Sequence, residues 1–223
     1  MPEPLHPVPG VGKFIHQSTV IIGGTMNLVD RAKNIIMTPQ TEWTAVAAEE
    51  PSVPQILTGY VIPLALIPAI ASFIGGTIMP GAFHFGATYL VGMAVVSFVS
   101  ALVGVFLSSY VIDFLAPNFG SEKNLGRTFQ LVAYSYTPAW VAGVFQIIPV
   151  IGVLASVAGL YGIYLMYLGL PVLKKTPADK TVVYLVVSFL VLMVIYVVLS
   201  AIFAAIILGV LGVSAVTSWV FGQ

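Results

Sequence analysis

Five stretches of this chain run without a charged residue over a length that fits a bilayer, and that leaves few folds open. They lie at about Gln55–Met79, Ala87–Ile112, Phe129–Ile148, Val150–Leu173 and Thr181–Gly212. Roughly 18 consecutive apolar residues let a helix cross about 30 Å of hydrocarbon. Inside lipid only helices and closed barrels satisfy every backbone polar group. A soluble domain is about 25% charged, whereas charged residues make up 7% of this chain and its mean hydropathy is +1.04. The expected fold is therefore all-α: a polytopic membrane protein of five transmembrane helices, preceded by an amphipathic helical segment.

The boundary between the third and fourth stretches is thin. "QIIPVIG" offers only Pro149 and Gly152 as punctuation, so a tight hairpin is expected there. One uninterrupted helix instead would run about 65 Å. Charge placement supports the split. Lys13, Arg31 and Lys33 precede the first span, Lys123 and Arg127 follow the second, and Lys174, Lys175 and Lys180 follow the fourth. With five spans all eight cations share one side and the other side has none, which by the positive-inside rule is the cytoplasm. The expected location is the cell inner membrane, with the N-terminus cytoplasmic and the C-terminus periplasmic. The fifth stretch would be about 48 Å long as helix, so it either tilts or projects with Trp219 and Phe221 at the interface. The only early apolar run, Val20–Gly24, is too short for a cleavable signal.

Residues 1–25 open with four prolines in the first nine positions and read as an extended or disordered arm. Residues 26–54 form a cytoplasmic preface. "MNLVDRAKNIIM" places Leu28, Ala32, Ile35 and Ile36 on one helical face, with Asp30, Arg31 and Asn34 assigned to the other. Thr38 stands as N-cap and Pro39 as first residue of a second helix, with Trp43 and Val46 facing down. Two such helices either lie on the cytoplasmic leaflet or pack on the ends of the spans. The membrane domain covers 55–213, and 214–223 is a short outer tail.

Catalytic chemistry finds little to stand on. The chain has no cysteine, which excludes disulfides and thiolate sites. Of its three histidines, His6 and His16 sit in the arm and His84 in the outer loop, and none lies within helical reach of a carboxylate on the same span, so neither a metal site nor a triad is expected. "GVG" and "IGG" lack the strand and lysine of a phosphate loop. No cofactor and no enzyme activity are expected. The net charge of zero gives no reason to expect a nucleic-acid partner. Asp113, at the end of the second span, reads as a solvated boundary residue rather than a proton relay.

Prolines mark the spans most strongly. Pro63 and Pro68 in the first and Pro138 in the third each remove a donor and free the carbonyl four residues back, at Gly59, Leu64 and Tyr134. Beside Pro138 stand Tyr134, Ser135, Tyr136 and Thr137, an uncharged cluster of hydroxyls. Two readings stay open: hydroxyls that heal a broken backbone in lipid, or a polar pocket or hinge that binds a ligand. Small residues four apart, at Ser97/Ala101, Ser100/Gly104/Ser108, Gly152/Ser156, Ala155/Gly159 and Ala158/Gly162, allow close helix approach within the bundle or in a homo-oligomer. Tyr161, Tyr164 and Tyr167 are expected to form a packed aromatic ridge.

The order "RAKNIIMTPQTEW", then "AAEEPS", then spans with "AYSYTP" in the third, resembles the Yip family, the Ypt/Rab-interacting membrane proteins, in its bacterial branch. That resemblance runs from about Leu28 to Leu211. It implies a five-helix domain with a cytosolic N-terminus and no established catalytic activity. Eukaryotic relatives are associated with Rab GTPases and vesicle traffic and carry an Asp-Leu-Tyr-Gly-Pro motif, a string this chain does not contain. The expected function is a non-enzymatic partner-binding or membrane-organising, trafficking-related component. The lipid bilayer surrounds it, an unidentified cytoplasmic protein meets it at Trp43, Lys123, Arg127, Lys174 and Lys175, and small-residue faces offer self-association. The alternative is a small lipid or neutral-solute translocator or channel built on the kinks, with Pro63, Pro68, Tyr134, Tyr136, Thr137 and Pro138 at its path.

Overall fold

The computed structural model describes residues 27–78, 86–148, 151 and 153–221, with side chains in the last stretch described at 157–201 and 205. The arm, His6, His16, His84, Pro149 and Gly152 lie outside the described residues, and Trp219 and Phe221 outside the described side chains. The described chain forms helices α1 (Leu28–Met37), α2 (Pro39–Ala48), α3 (Val53–Ile56), α4 (Ile62–Ile78), α5 (Ala87–Leu115), α6 (Leu125–Ser135), α7 (Thr137–Ala142), α8 (Val153–Lys174) and α9 (Ala178–Phe221), with no strand among the described residues.

Among the described residues four helical runs are long and apolar enough to cross a membrane: Val53–Ile78, Ala87–Phe119, Val157–Lys174 and Ala178–Ala201. The third expected span is present as helix but not as one helix. It breaks at Tyr136 between α6 and α7 and then tightens into a 3-10 segment, Gly143–Ile147. Pro138 accounts for the break, since the pyrrolidine ring has no N–H to offer the Tyr134 carbonyl. Pro63 is absorbed differently. A π-helical turn, Leu57–Val61, joins α3 to α4 just ahead of it, so the ladder has already stepped to the wider spacing. Pro68 sits within α4 without interrupting it.

Turns at one end are set by short-range chemistry. Past α5 a 3-10 turn, Ala116–Phe119, ends at Gly120, whose φ of +69° lies where a side chain would be strained. Asn124 then caps α6 by accepting from the Arg127 N–H at 3.0 Å.

Helix α4 packs on α5 and on the Gly143–Ile147 segment; α6 and α7 lie against α8, and α9 closes on α5 and α8. Close approach depends on missing side chains. A Cβ at Gly143 would stand 2.7 Å from that of Pro68, and one at Gly162 would stand 2.5 Å from the Ser135 carbonyl oxygen. The interior is aliphatic and aromatic, with Val61, Ala65, Val105, Leu131 and Leu165 fully buried. The outside of α5 and α9 is equally apolar: Val95, Val99, Phe106, Phe189, Val194 and Val197 are exposed, as a surface solvated by lipid requires.

Helices α1 and α2 form a hairpin turned at Thr38, and it packs along the bundle rather than on its ends. It meets α6, α7 and α8, and the Tyr161 phenol donates to the Ile36 carbonyl at 2.8 Å. Tyr161 lies roughly 20 Å up α8 from Lys174 at about 1.5 Å per residue. Thr38 precedes Pro39 as expected, but its hydroxyl donates back to the Asn34 carbonyl at 3.2 Å instead of capping α2. Two expectations are corrected. Arg31, assigned to the outer face, is buried, because it stands four residues before Ile35 and so shares its face. Of the tyrosine ridge only Tyr161 turns inward; Tyr164 and Tyr167 are 45% and 41% exposed.

Candidate functional site

The residues of the segment from Tyr134 to Pro138 point three ways. Thr137 reaches back along its own chain: its hydroxyl donates to the Tyr134 carbonyl at 2.7 Å, the acceptor that Pro138 leaves without an amide. The Tyr60 phenol lies 2.6 Å from the same Thr137 oxygen. Thr137 has one proton and gives it to the carbonyl, so Tyr60 is the donor to Thr137. A relay from the π-turned first span thereby closes the break in the third. Tyr136 faces the opposite way, 2.7 Å from Ser108 on α5 and edge-on to Trp140. Ser135 is fully buried and its hydroxyl makes no hydrogen bond within the protein.

Tyr134 turns toward the hairpin. Its ring meets Tyr60 edge-on at 4.8 Å and Trp43 at 6.3 Å, and the Arg31 guanidinium lies 5.4 Å from its centroid. Trp43 fills the space over Gly169, where a Cβ would come within 2.8 Å of the indole. Arg31 donates to Glu42 at 2.6 Å and also to Glu49. Burial alone would lower the Arg31 pKa, but the bond to Glu49 and the neighbouring carboxylates hold it above its usual value. Arg127 completes the clamp from α6, donating to the carbonyls of Glu49 at 2.7 Å and Val46 at 3.2 Å and to the Gln130 side chain at 3.1 Å.

A second ionic centre lies under the turn between α5 and α6. Asp113 accepts from the Lys174 ammonium at 2.5 Å, the Thr128 hydroxyl at 2.9 Å and the Asn124 N–H at 2.8 Å. Asp113 is buried, so the expectation of a solvated boundary residue is corrected: Lys174, Thr128 and Asn124 replace water around its carboxylate.

These placements divide the candidate residues. Trp43 and Lys174 are interior, at 0% exposure, and Arg127 is half-buried in the clamp. Lys123 and Lys175 are exposed, Lys175 paired with Glu122 at 2.6 Å. Pro138, Tyr134, Tyr136 and Thr137 meet at the break, and Pro68 packs on Gly143 beside it. Pro63 lies a turn away, at the end of the π segment. In the sequence Arg31 stands only as an outward charge and Ser108 only as a small packing residue, and Glu42 and Tyr60 carry no assigned role. Glu42 had a signal, since Val46 four residues on shares its face; the partners of Tyr60 and Ser108 are set by packing alone. Among the described residues no group of histidines and acids could hold a metal ion.

The family model of the Yip1 domain matches residues 33–202. No curated protein and no solved structure matches the chain. The matched stretch takes in α2, the break at Tyr136 and the Asp113–Lys174 centre; of the hairpin clamp it takes in Glu42, Glu49 and Arg127, while Arg31 lies just ahead of it.

Proposed function

The chain belongs to the Yip1 domain family, and from that premise we propose that it is a non-enzymatic inner-membrane protein that binds a protein partner at its cytoplasmic end in a membrane-organising, trafficking-related role. In this reading it has five passes, with the N-terminus in the cytoplasm and the C-terminus in the periplasm. The pass added to the four unbroken runs is the third in chain order, the broken run from α6 through Ile147, which carries no charge beyond Arg127.

The observation that carries the reading is the end of the bundle where the described cations gather. Arg31, Arg127 and Lys174 are spent inside the protein, clamping the hairpin and the interhelical turn. The described charges that remain exposed are Asp30 and Lys33 on α1 and Glu50, Glu122, Lys123, Lys175, Asp179 and Lys180 at the turns. A rigid rim of interspersed signs suits a protein surface better than an anionic bilayer, which would select a single positive field.

The test is a photo-crosslinking amino acid placed in turn at Lys123, Lys175 and, as control, Val197 in living cells. Discrete protein adducts at the first two positions and lipid adducts at the third support the reading. Lipid adducts at all three would abandon it. The second reading, a lipid or neutral-solute translocator, is favoured by one observation only: an apolar crevice beside the Tyr136 break, on the side away from the prolines of the first span.

A further inference from the structure

The break between α6 and α7 has a closed side and an open side. Toward α4 it is sealed by Pro68 on Gly143 and by the Tyr60–Thr137 relay. Toward α5, α8 and α9 a crevice of about 340 Å³ opens. Sites for small ligands are typically about 300–1,000 Å³, mostly apolar, with a few polar groups that set orientation. Ile163, Met166, Leu185 and Leu192 wall this one, and no charged residue lines it. Ser135 and Ser188 also line it, from α6 and α9. Both hydroxyls are buried and neither makes a hydrogen bond within the protein, although buried hydroxyls are nearly always paired. Space is available beside them: a Cβ on Gly159 would meet nothing within 4 Å. Leu160 and Phe189 stand exposed at the rim.

We propose that this crevice binds a neutral lipid lacking a charged headgroup, whose carbonyl accepts hydrogen bonds from Ser135 and Ser188 and whose chain passes out between Leu160 and Phe189. The chemistry selects that occupant. Two donors without a neighbouring charge suit an uncharged acceptor, and a phosphate would find nothing to neutralise it. Each serine lies roughly 15 Å along its helix from the charged end, at about 1.5 Å per residue. That depth is hydrocarbon, below the level where phospholipid headgroups sit. The proposal rests on the same crevice that favours the second reading of function, but a bound lipid requires neither transport nor a protein partner.

The experiment uses the full chain in liposomes containing a diacylglycerol with a diazirine on one acyl chain. Phosphatidic acid with the same diazirine chain is the control. Diacylglycerol adducts are expected on α8 and α9 around the crevice. They should fall at least about tenfold in Gly159→Leu, which fills the space, and about fivefold in Ser188→Ala, the worth of one hydrogen bond. Phosphatidic acid adducts should not change. In lipid-free detergent, Ser135→Ala and Ser188→Ala should melt at or above the wild type, because each removes an unpaired buried donor. That separates lost binding from lost folding. Equal labelling of wild type and Gly159→Leu, or equal yields from both probes, would mark bulk lipid and overturn the proposal. Unchanged labelling of Ser188→Ala would mean that water serves the hydroxyls, and would overturn it too.

Discussion

Lys174 shows how a single charge is used in this protein. It is fully buried, and its ammonium meets Asp113 on a helix far away in sequence. A buried pair contributes little net stability against an apolar replacement, but removing one partner strands the other. Lys174→Met should therefore cost about 3–5 kcal/mol, and the double variant Asp113→Leu/Lys174→Met should recover most of it; thermal melts in detergent decide. If single and double variants melt alike, the two residues are not coupled. Thr137 offers a second test at this scale. Thr137→Val removes the donor to the Tyr134 carbonyl and the acceptor for Tyr60, at a cost of about 1–3 kcal/mol, while Thr137→Ser should melt as wild type. A serine variant that falls with the valine would show that the methyl group, not the hydroxyl, matters. The need for a hydroxyl beside Pro138 was legible, because proline frees a known carbonyl. Which hydroxyl answers was not, since four stood within reach and side-chain direction decides among them.

Among the elements, α8 packs against α2, α6, α7 and α9, and its glycines differ sharply. A Cβ on Gly162 would press within 2.5 Å of the Ser135 carbonyl oxygen, a backbone atom that cannot swing aside. Gly162→Ala should separate α8 from the α6–α7 break and destabilise by about 1–3 kcal/mol. Gly159→Ala meets nothing within 4 Å and should be neutral or slightly stabilising through helix propensity. Equal melting of the two variants would refute this packing. Both glycines looked alike in the sequence, as members of small-residue pairs at the same spacing. Periodicity identifies a face that allows close approach but not the helix that comes close. The hairpin was similarly half legible. Its two helices, their turn at Thr38 and the inward Trp43 follow from amphipathic spacing and Pro39. Its position along α8 does not, because it depends on Tyr161 and on the fit of Trp43 over Gly169.

For the whole molecule, the hairpin tip is predicted to lie within the hydrocarbon layer. The tip shows Met37, Thr38, Gln40 and Thr41 on its outer surface, and of its polar residues both threonines already donate their hydroxyls to carbonyls of their own chain. That is the condition for polar residues to face lipid. The cysteine-free chain makes the test direct. Lys123→Cys and Lys175→Cys should react with a membrane-impermeant maleimide from one side only. Met37→Cys, although 71% exposed, should react only with a lipid-soluble reagent. Rapid labelling of Met37→Cys by the impermeant reagent would place the hairpin outside the bilayer.

What the sequence determined by itself is the solvent, the helical class and the family. Long uncharged runs cannot face water, backbone in lipid must pair with itself, and these demands are written in composition and local spacing. The tertiary structure alone decided that Asp113 is interior, that Tyr60 completes the break across 77 residues, and that the crevice opens toward α5, α8 and α9. The physical reason is the same in each case. Every one of these outcomes depends on which helices touch and at what rotation, and association inside a membrane is governed by the fit of small and large side chains rather than by any pattern that repeats along one helix.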